Sequence, residues 1–235
     1  MDEALVSQDT SSKGFLTERA LSWVIQKHKI PYPSDACSAG TTIELFGLQY
    51  PDESEANLLM KIAKGEENKI VFPSTLAGPD IWYRTKINEK YCIVSIQSKY
   101  KNIQLTLSTF ISALASLDPA KMFAKANITN RINWHSQRLE MSYLRCIFSA
   151  VGFSEEVYFL VKEYNGCHSL EDRIYLYHLD DVKDELKELY TQLKGYNNIH
   201  KMPKITISQS EWRRKTPASK KRISNHILQC YCKER

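Results

Sequence analysis

The sequence predicts an α/β protein with a mixed central sheet flanked by helices. Three observations carry this. The stretch from Ile70 to Lys99, IVFPSTLAGPDIWYRTKINEKYCIVSIQSK, holds a short apolar strand, a Pro/Gly-punctuated loop and two strands joined by a polar turn at Asn88, Glu89 and Lys90. Residues 14–29 and 105–123 flank it with apolar residues at helical spacing. Runs rich in aromatic and β-branched residues follow at 156–164 and 173–179 and read as further strands.

Composition bounds the class. A chain of 235 residues, 43% hydrophobic and 25% charged, can bury one sizeable core or one core plus an appendage. No apolar run approaches the roughly 18 residues of a membrane span. The start MDEALVSQDTSSKG has neither a basic region nor an apolar core, so an intracellular protein without a membrane partner is expected. Six cysteines at irregular spacing, with no CxxC, argue against a disulfide framework or a zinc ribbon. Cys92 and Cys146 lie in apolar patterns and are expected to pack as small hydrophobes. Cys230, Cys232 and His226 offer three metal ligands without a fourth, so they form either an incomplete metal site or a thiol pair at a tail.

The elements follow in order. Residues 1–13 are polar and read as a loose terminus. GFLTERALSWVIQKHK, from Gly14 to Lys29, places Leu16, Ala20, Trp23 and Val24 along one helical face. Residues 30–52 read as a loop with one strand around Thr42 to Leu48, and Glu53 to Lys64 as a helix with Ala56, Leu59, Met60 and Ala63 at helical spacing. In the hairpin, period-two alternation puts Cys92, Val94 and Ile96 on a core face and Ser95, Gln97 and Lys99 on the other. Asp80 opens the paired strand and is expected beside Gln97 and Lys99. LTLSTFISALASLDPAKMF reads as a helix stopped by Asp118 and Pro119, and residues 129–151 as a second amphipathic pattern in which Arg131, His135, Arg138 and Arg145 are candidates for contact with a phosphate backbone. DDVKDELKELYTQLKGY reads as a charged helix with Val182, Leu186, Leu189 and Leu193 on one stripe and a stop at Gly195.

An acid, a carbonyl oxygen and an ammonium on one small surface suit metal-assisted phosphodiester hydrolysis, in which hard oxygen ligands hold magnesium against a phosphate and a cation offsets developing charge. The Pro79-Asp80 dipeptide and the Gln97-Ser98-Lys99 tripeptide resemble the PD-(D/E)XK nuclease superfamily in its QxK variant. More narrowly, the FPSxxAGPD phrase, the QxK ending and the downstream Asp118-Pro119 resemble nuclease-like domains of fungal and oomycete Crinkler-type and retrotransposon hot spot proteins. The resemblance covers about residues 14–166. It implies a restriction endonuclease-like sheet, magnesium or manganese as cofactor, and DNA as partner, with RNA also open. It further implies a setting that is transposon-associated or effector-like.

By the same resemblance Asp80, Gln97 and the Ser98 backbone carbonyl would ligate the metal, Lys99 would position water and stabilise charge, and Glu18 would support the site from the first helix. Gln97 departs from the usual acid and lacks the charge a hard cation favours. A nuclease fold without catalysis, acting as a nucleic-acid-binding or interaction module, is therefore the alternative. Glu18 is either this supporting acid or a solvated charge in the helix's first turn. Residues 30–68 would be an insertion, so Glu44, Glu53 or Glu55 could fill the role instead. His135 as a base has no support from the resemblance.

Residues 1–200 are expected to form the nuclease-like domain and 201–235 a basic tail. Ten Lys or Arg against two Glu give the tail a balance of +8, which leaves the first 200 residues near −3. Arg213, Arg214 and Lys215, then Lys220, Lys221 and Arg222, straddle Thr216-Pro217 like a bipartite patch for nucleic acid or nuclear import. A solvated tail is the competing reading. Lys101, just past the hairpin, is a further candidate for phosphate contact.

Overall fold

Six strands lie side by side in the order in which the chain makes them. They are seen in a computed structural model that describes residues 17–22, 24, 25, 42–46, 52–87, 89–101, 103–123, 142–187, 190, 191 and 193. The strands are β1 (Thr42–Leu45), β2 (Lys69–Phe72), β3 (Ile81–Ile87), β4 (Lys90–Lys99), β5 (Ser142–Ser149) and β6 (Ile174–His178). Pairing is parallel between β1 and β2, antiparallel from β2 through β3 to β4, and parallel again through β5 and β6. Five strands therefore end on the same side of the sheet, and β3 begins there.

Parallel neighbours need crossovers, and helices supply them. Helix α1 comprises helical residues 17–22, 24 and 25; α2 (Glu53–Lys64) links β1 to β2, α3 (Leu107–Ser116) lies between β4 and β5, and α4 (Glu155–Gly166) links β5 to β6. Residues 30–68, expected as an insertion, thus contribute an edge strand and its crossover helix to the sheet itself.

Alternation sorts the core into two layers. Cys92, Val94 and Ile96 face α1 and the segment holding Leu179, Val182, Leu186 and Leu193, together with Ile81, Tyr83 and Phe148. The other face of the sheet packs on α2 through Val71, Trp82 and Ile93, and on α3 and α4 through Ile147 and Ile174. Trp82 is fully buried and its ring lies 5.4 Å from that of Phe123. Cys92 and Cys146 are both buried, and burial pushes the Cys146 thiol up.

Local chemistry accounts for the element ends. Asp52 caps α2 by accepting from the Glu55 N–H at 3.1 Å, and Gly65 closes the helix at φ +83°. The turn between β3 and β4 is shorter than expected: Lys90 already pairs with Ile87, and Glu89 takes a positive φ of 66°.

Two expected element types are also corrected. Residues 156–164 form α4, not a strand, because Val157, Val161 and Tyr164 are buried at helical spacing while Tyr158 and Phe159 are exposed. Residues 142–149 form β5, and Arg145, expected as a candidate for phosphate contact, is buried there with its guanidinium donating to the Tyr164 hydroxyl at 3.4 Å. The expected charged helix opens with a 3-10 turn over Leu179–Val182, followed by α5 (Lys183–Leu186), with residues 190, 191 and 193 also helical. Leu16, Trp23, Arg131, His135, Arg138, Leu189, Cys230, Cys232, His226 and the whole basic tail lie outside the described residues.

Candidate active site

The C-terminal ends of β2 and β4 and the start of β3 converge on one edge of the sheet, the position where open α/β sheets hold ligands. The loop from Pro73 to Asp80 returns the chain from β2 to β3 there. Glu55, fully buried on α2, pins the loop by accepting from the Ser74 N–H at 2.8 Å and from the Ser74 hydroxyl. Gly78 then adopts φ +125°, and a Cβ on it would lie 2.6 Å from the Ser116 carbonyl oxygen at the end of α3. Only glycine meets both conditions without strain. The next two residues are Pro79 and Asp80.

Asp80 is held from several directions. Its N–H donates to the Ile96 carbonyl at 2.8 Å, which sets it against the end of β4. Its Oδ2 accepts from the Ser98 N–H at 2.7 Å and from Gln97 Nε2. Gln97 Oε1 in turn accepts from the Ser116 hydroxyl. Burial pushes the Asp80 carboxyl up to about 6, while the Ser98 N–H, the Lys99 charge and the Gln97 amide draw it down.

Glu18 reaches the same place from α1. Burial pushes its carboxyl up to about 7 and the Asp80 charge adds to that, against Lys99 and Arg19. The Arg19 guanidinium sits 4.7 Å from the centre of the Phe72 ring, so α1 is seated over the end of β2. Glu18, Asp80, Gln97, Ser98 and Lys99 therefore share one site. The other candidate acids have other surroundings: Glu44 pairs with Lys69 at 3.0 Å, Glu53 is exposed in the first turn of α2, and Glu55 is tied to Ser74. Lys101 is exposed just beyond β4.

Ser116 is a contributor that the sequence did not nominate, and Glu55, nominated as an alternative supporting acid, instead clamps the loop through Ser74. Ser74 belongs to the FPSxxAGPD phrase and was the one available hint of the Glu55 clamp; nothing in the sequence marks Ser116. Among the described residues no group of three or more His, Cys, Asp and Glu is arranged to hold a metal ion, and no helix is long and apolar enough to cross a membrane. No protein-family model, no curated protein and no solved structure matches the chain.

Proposed function

We propose that this chain is a PD-(D/E)XK nuclease-like protein with a restriction endonuclease-like core, hydrolysing phosphodiester bonds of DNA with magnesium or manganese. The carrying observation is the meeting of Glu18 from the first helix, Asp80 from the start of β3, and Gln97 and Lys99 from β4. The element order α1, β2, β3, β4, α3, β5 supports the same reading, with β1, α2 and β6 as additions. A transposon-associated or effector-like role and nuclear import through the tail belong to this proposal, as does the choice of DNA over RNA.

The donor set fits a hard cation. Glu18 and Asp80 are both withdrawn from water, and the Asp80 charge raises the proton affinity of Glu18, so replacing protons by magnesium relieves the burial of both and the repulsion at Glu18. When bound, the metal supplies a more acidic water and a polarised phosphate. The Ser98 N–H and the Gln97 amide hold Asp80 in position. Lys99, close enough to act on both carboxylates, offsets negative charge as it develops on the phosphate. Lys101 would take a flanking phosphate, and the Ser98 carbonyl is the remaining oxygen assigned to the metal.

Asp80→Ala and Lys99→Ala should each abolish magnesium-dependent cleavage of plasmid and oligonucleotide substrates while leaving the circular dichroism spectrum unchanged. Cleavage retained in both variants would dispose of the site. The second reading, a nuclease fold that binds without cleaving, is favoured by the Gln97 amide nitrogen facing Asp80 where the usual acid would present an oxygen. DNA binding without cleavage by the native chain, with cleavage acquired by Gln97→Glu, would select it.

A further inference from the structure

We infer that Ser116 is a positioning residue that allows the Gln97 carboxamide to turn its oxygen toward a divalent cation at Asp80; the inference rests on the metal-dependent reading above. The observation behind it is a shortage of protons. Ser116 Oγ lies within hydrogen-bond distance of two acceptors, Gln97 Oε1 and, at 2.7 Å, the Ala113 carbonyl, yet a hydroxyl carries one proton. While Gln97 Nε2 donates to Asp80 Oδ2, one of the two oxygens facing Ser116 goes without the Ser116 proton.

A half turn of the carboxamide about its last side-chain bond removes the shortage. Nε2 then donates to Ser116 Oγ, the Ser116 proton goes wholly to the Ala113 carbonyl, and Gln97 Oε1 faces Asp80. Amide oxygen and nitrogen are close in size, so the turn requires no repacking. Against a bare Asp80 carboxylate it is forbidden, since two acceptor oxygens would confront each other. A divalent cation at Asp80 reverses the preference, because both oxygens then point at positive charge.

The hydroxyl is what makes both orientations tolerable: it donates to the amide oxygen in one and accepts from the amide nitrogen in the other. An aliphatic side chain at position 116 would leave the turned Nε2 without that acceptor. A glutamate at position 97 would have no such requirement, as either of its oxygens can face the cation. Ser116 thus gives the neutral amide access to a geometry that a carboxylate has by itself.

Calorimetric titration of magnesium chloride into the full chain and into Ser116→Ala, Ser116→Thr, Gln97→Glu and the Gln97→Glu/Ser116→Ala double variant tests this. Ser116→Ala should weaken magnesium binding roughly tenfold, the scale seen when the partner of a metal ligand is lost. Ser116→Thr should retain native affinity, and Ser116→Ala should cause no weakening in the Gln97→Glu background. Unchanged affinity in Ser116→Ala would overturn the inference and leave the metal site standing. Equal weakening in both backgrounds would also overturn it, because the serine would then serve amide and carboxylate alike. A native chain that binds no magnesium overturns it as well; if Gln97→Glu nonetheless binds, the site survives, and if neither binds, the metal-dependent reading falls too.

Discussion

Asp80 and Glu18 hold their protons further toward neutrality than free carboxylates, because burial disfavours both ionised forms and the Asp80 charge adds to this at Glu18. An acid whose folded value lies above its unfolded one binds more protons in the folded state between the two. Its stabilising contribution is therefore full at low pH and is lost as pH rises. The window runs from 3.8 to about 6 for Asp80 and from 4.5 to about 7 for Glu18. Glu18→Gln should flatten the fall in melting temperature across that window and melt above the native chain at pH 8. Parallel melting curves for the two proteins from pH 4 to pH 8 would refute the assignment of Glu18 to this cluster. Gly78→Ala is the complementary test of the loop. It forces a Cβ into φ +125° and against the Ser116 carbonyl, so urea denaturation should show a loss of about 1–3 kcal/mol.

At the scale of elements, α4 is the place where pattern and propensity disagree. The run EVYFLVKEY is rich in residues that favour strands, yet the chain folds it as a helix that begins after Ser154, with Glu155 and Glu156 in its first turn. The deciding fact is which side chains find a partner. Val157, Val161 and Tyr164 meet Phe110, Leu114 and Ile174, and they do so only at helical spacing. A strand would place positions 157, 159 and 161 on one face, whereas in the helix Val161 is 6% exposed and Phe159 54%. Val161→Glu should therefore cost about 2 kcal/mol or more, an unpaired charge being buried. Phe159→Glu should stay within about 0.5 kcal/mol of the native chain. Equal losses in chemical denaturation would contradict the helix. The strands β1, β2, β3, β4 and β6 were legible in the sequence because apolar runs between turn signals are a local property. β5 was not, since the basic residues upstream of it gave the whole stretch an amphipathic reading and the contact of Arg145 with Tyr164 comes from across the fold.

For the molecule as a whole, charge separates two roles. The described sheet carries the candidate site, while the net balance of +8 in residues 201–235 is concentrated apart from it in sequence. If the tail supplies affinity through phosphates, deleting residues 201–235 should weaken DNA binding and reduce the slope of log affinity against log salt. Binding unchanged in strength and in salt dependence would leave the tail without that role. Cleavage by the truncated chain at high DNA concentration should persist, because Glu18, Asp80 and Lys99 all lie outside the deleted segment.

The sequence by itself determined the hairpin, and with it the nearness of Asp80 to Gln97 and Lys99, since a two-residue period puts those two side chains on one face; the register was decided by the turn, one residue shorter than the sequence indicated. It also determined that Cys92, Val94 and Ile96 enter a core. Only the tertiary structure decided that Glu18, rather than Glu44, Glu53 or Glu55, joins the site, and that Ser116 stands behind Gln97. Those choices depend on where α1 and α3 dock on the two faces of the sheet, and docking is set by contacts between residues distant in sequence, of which a local pattern carries no trace.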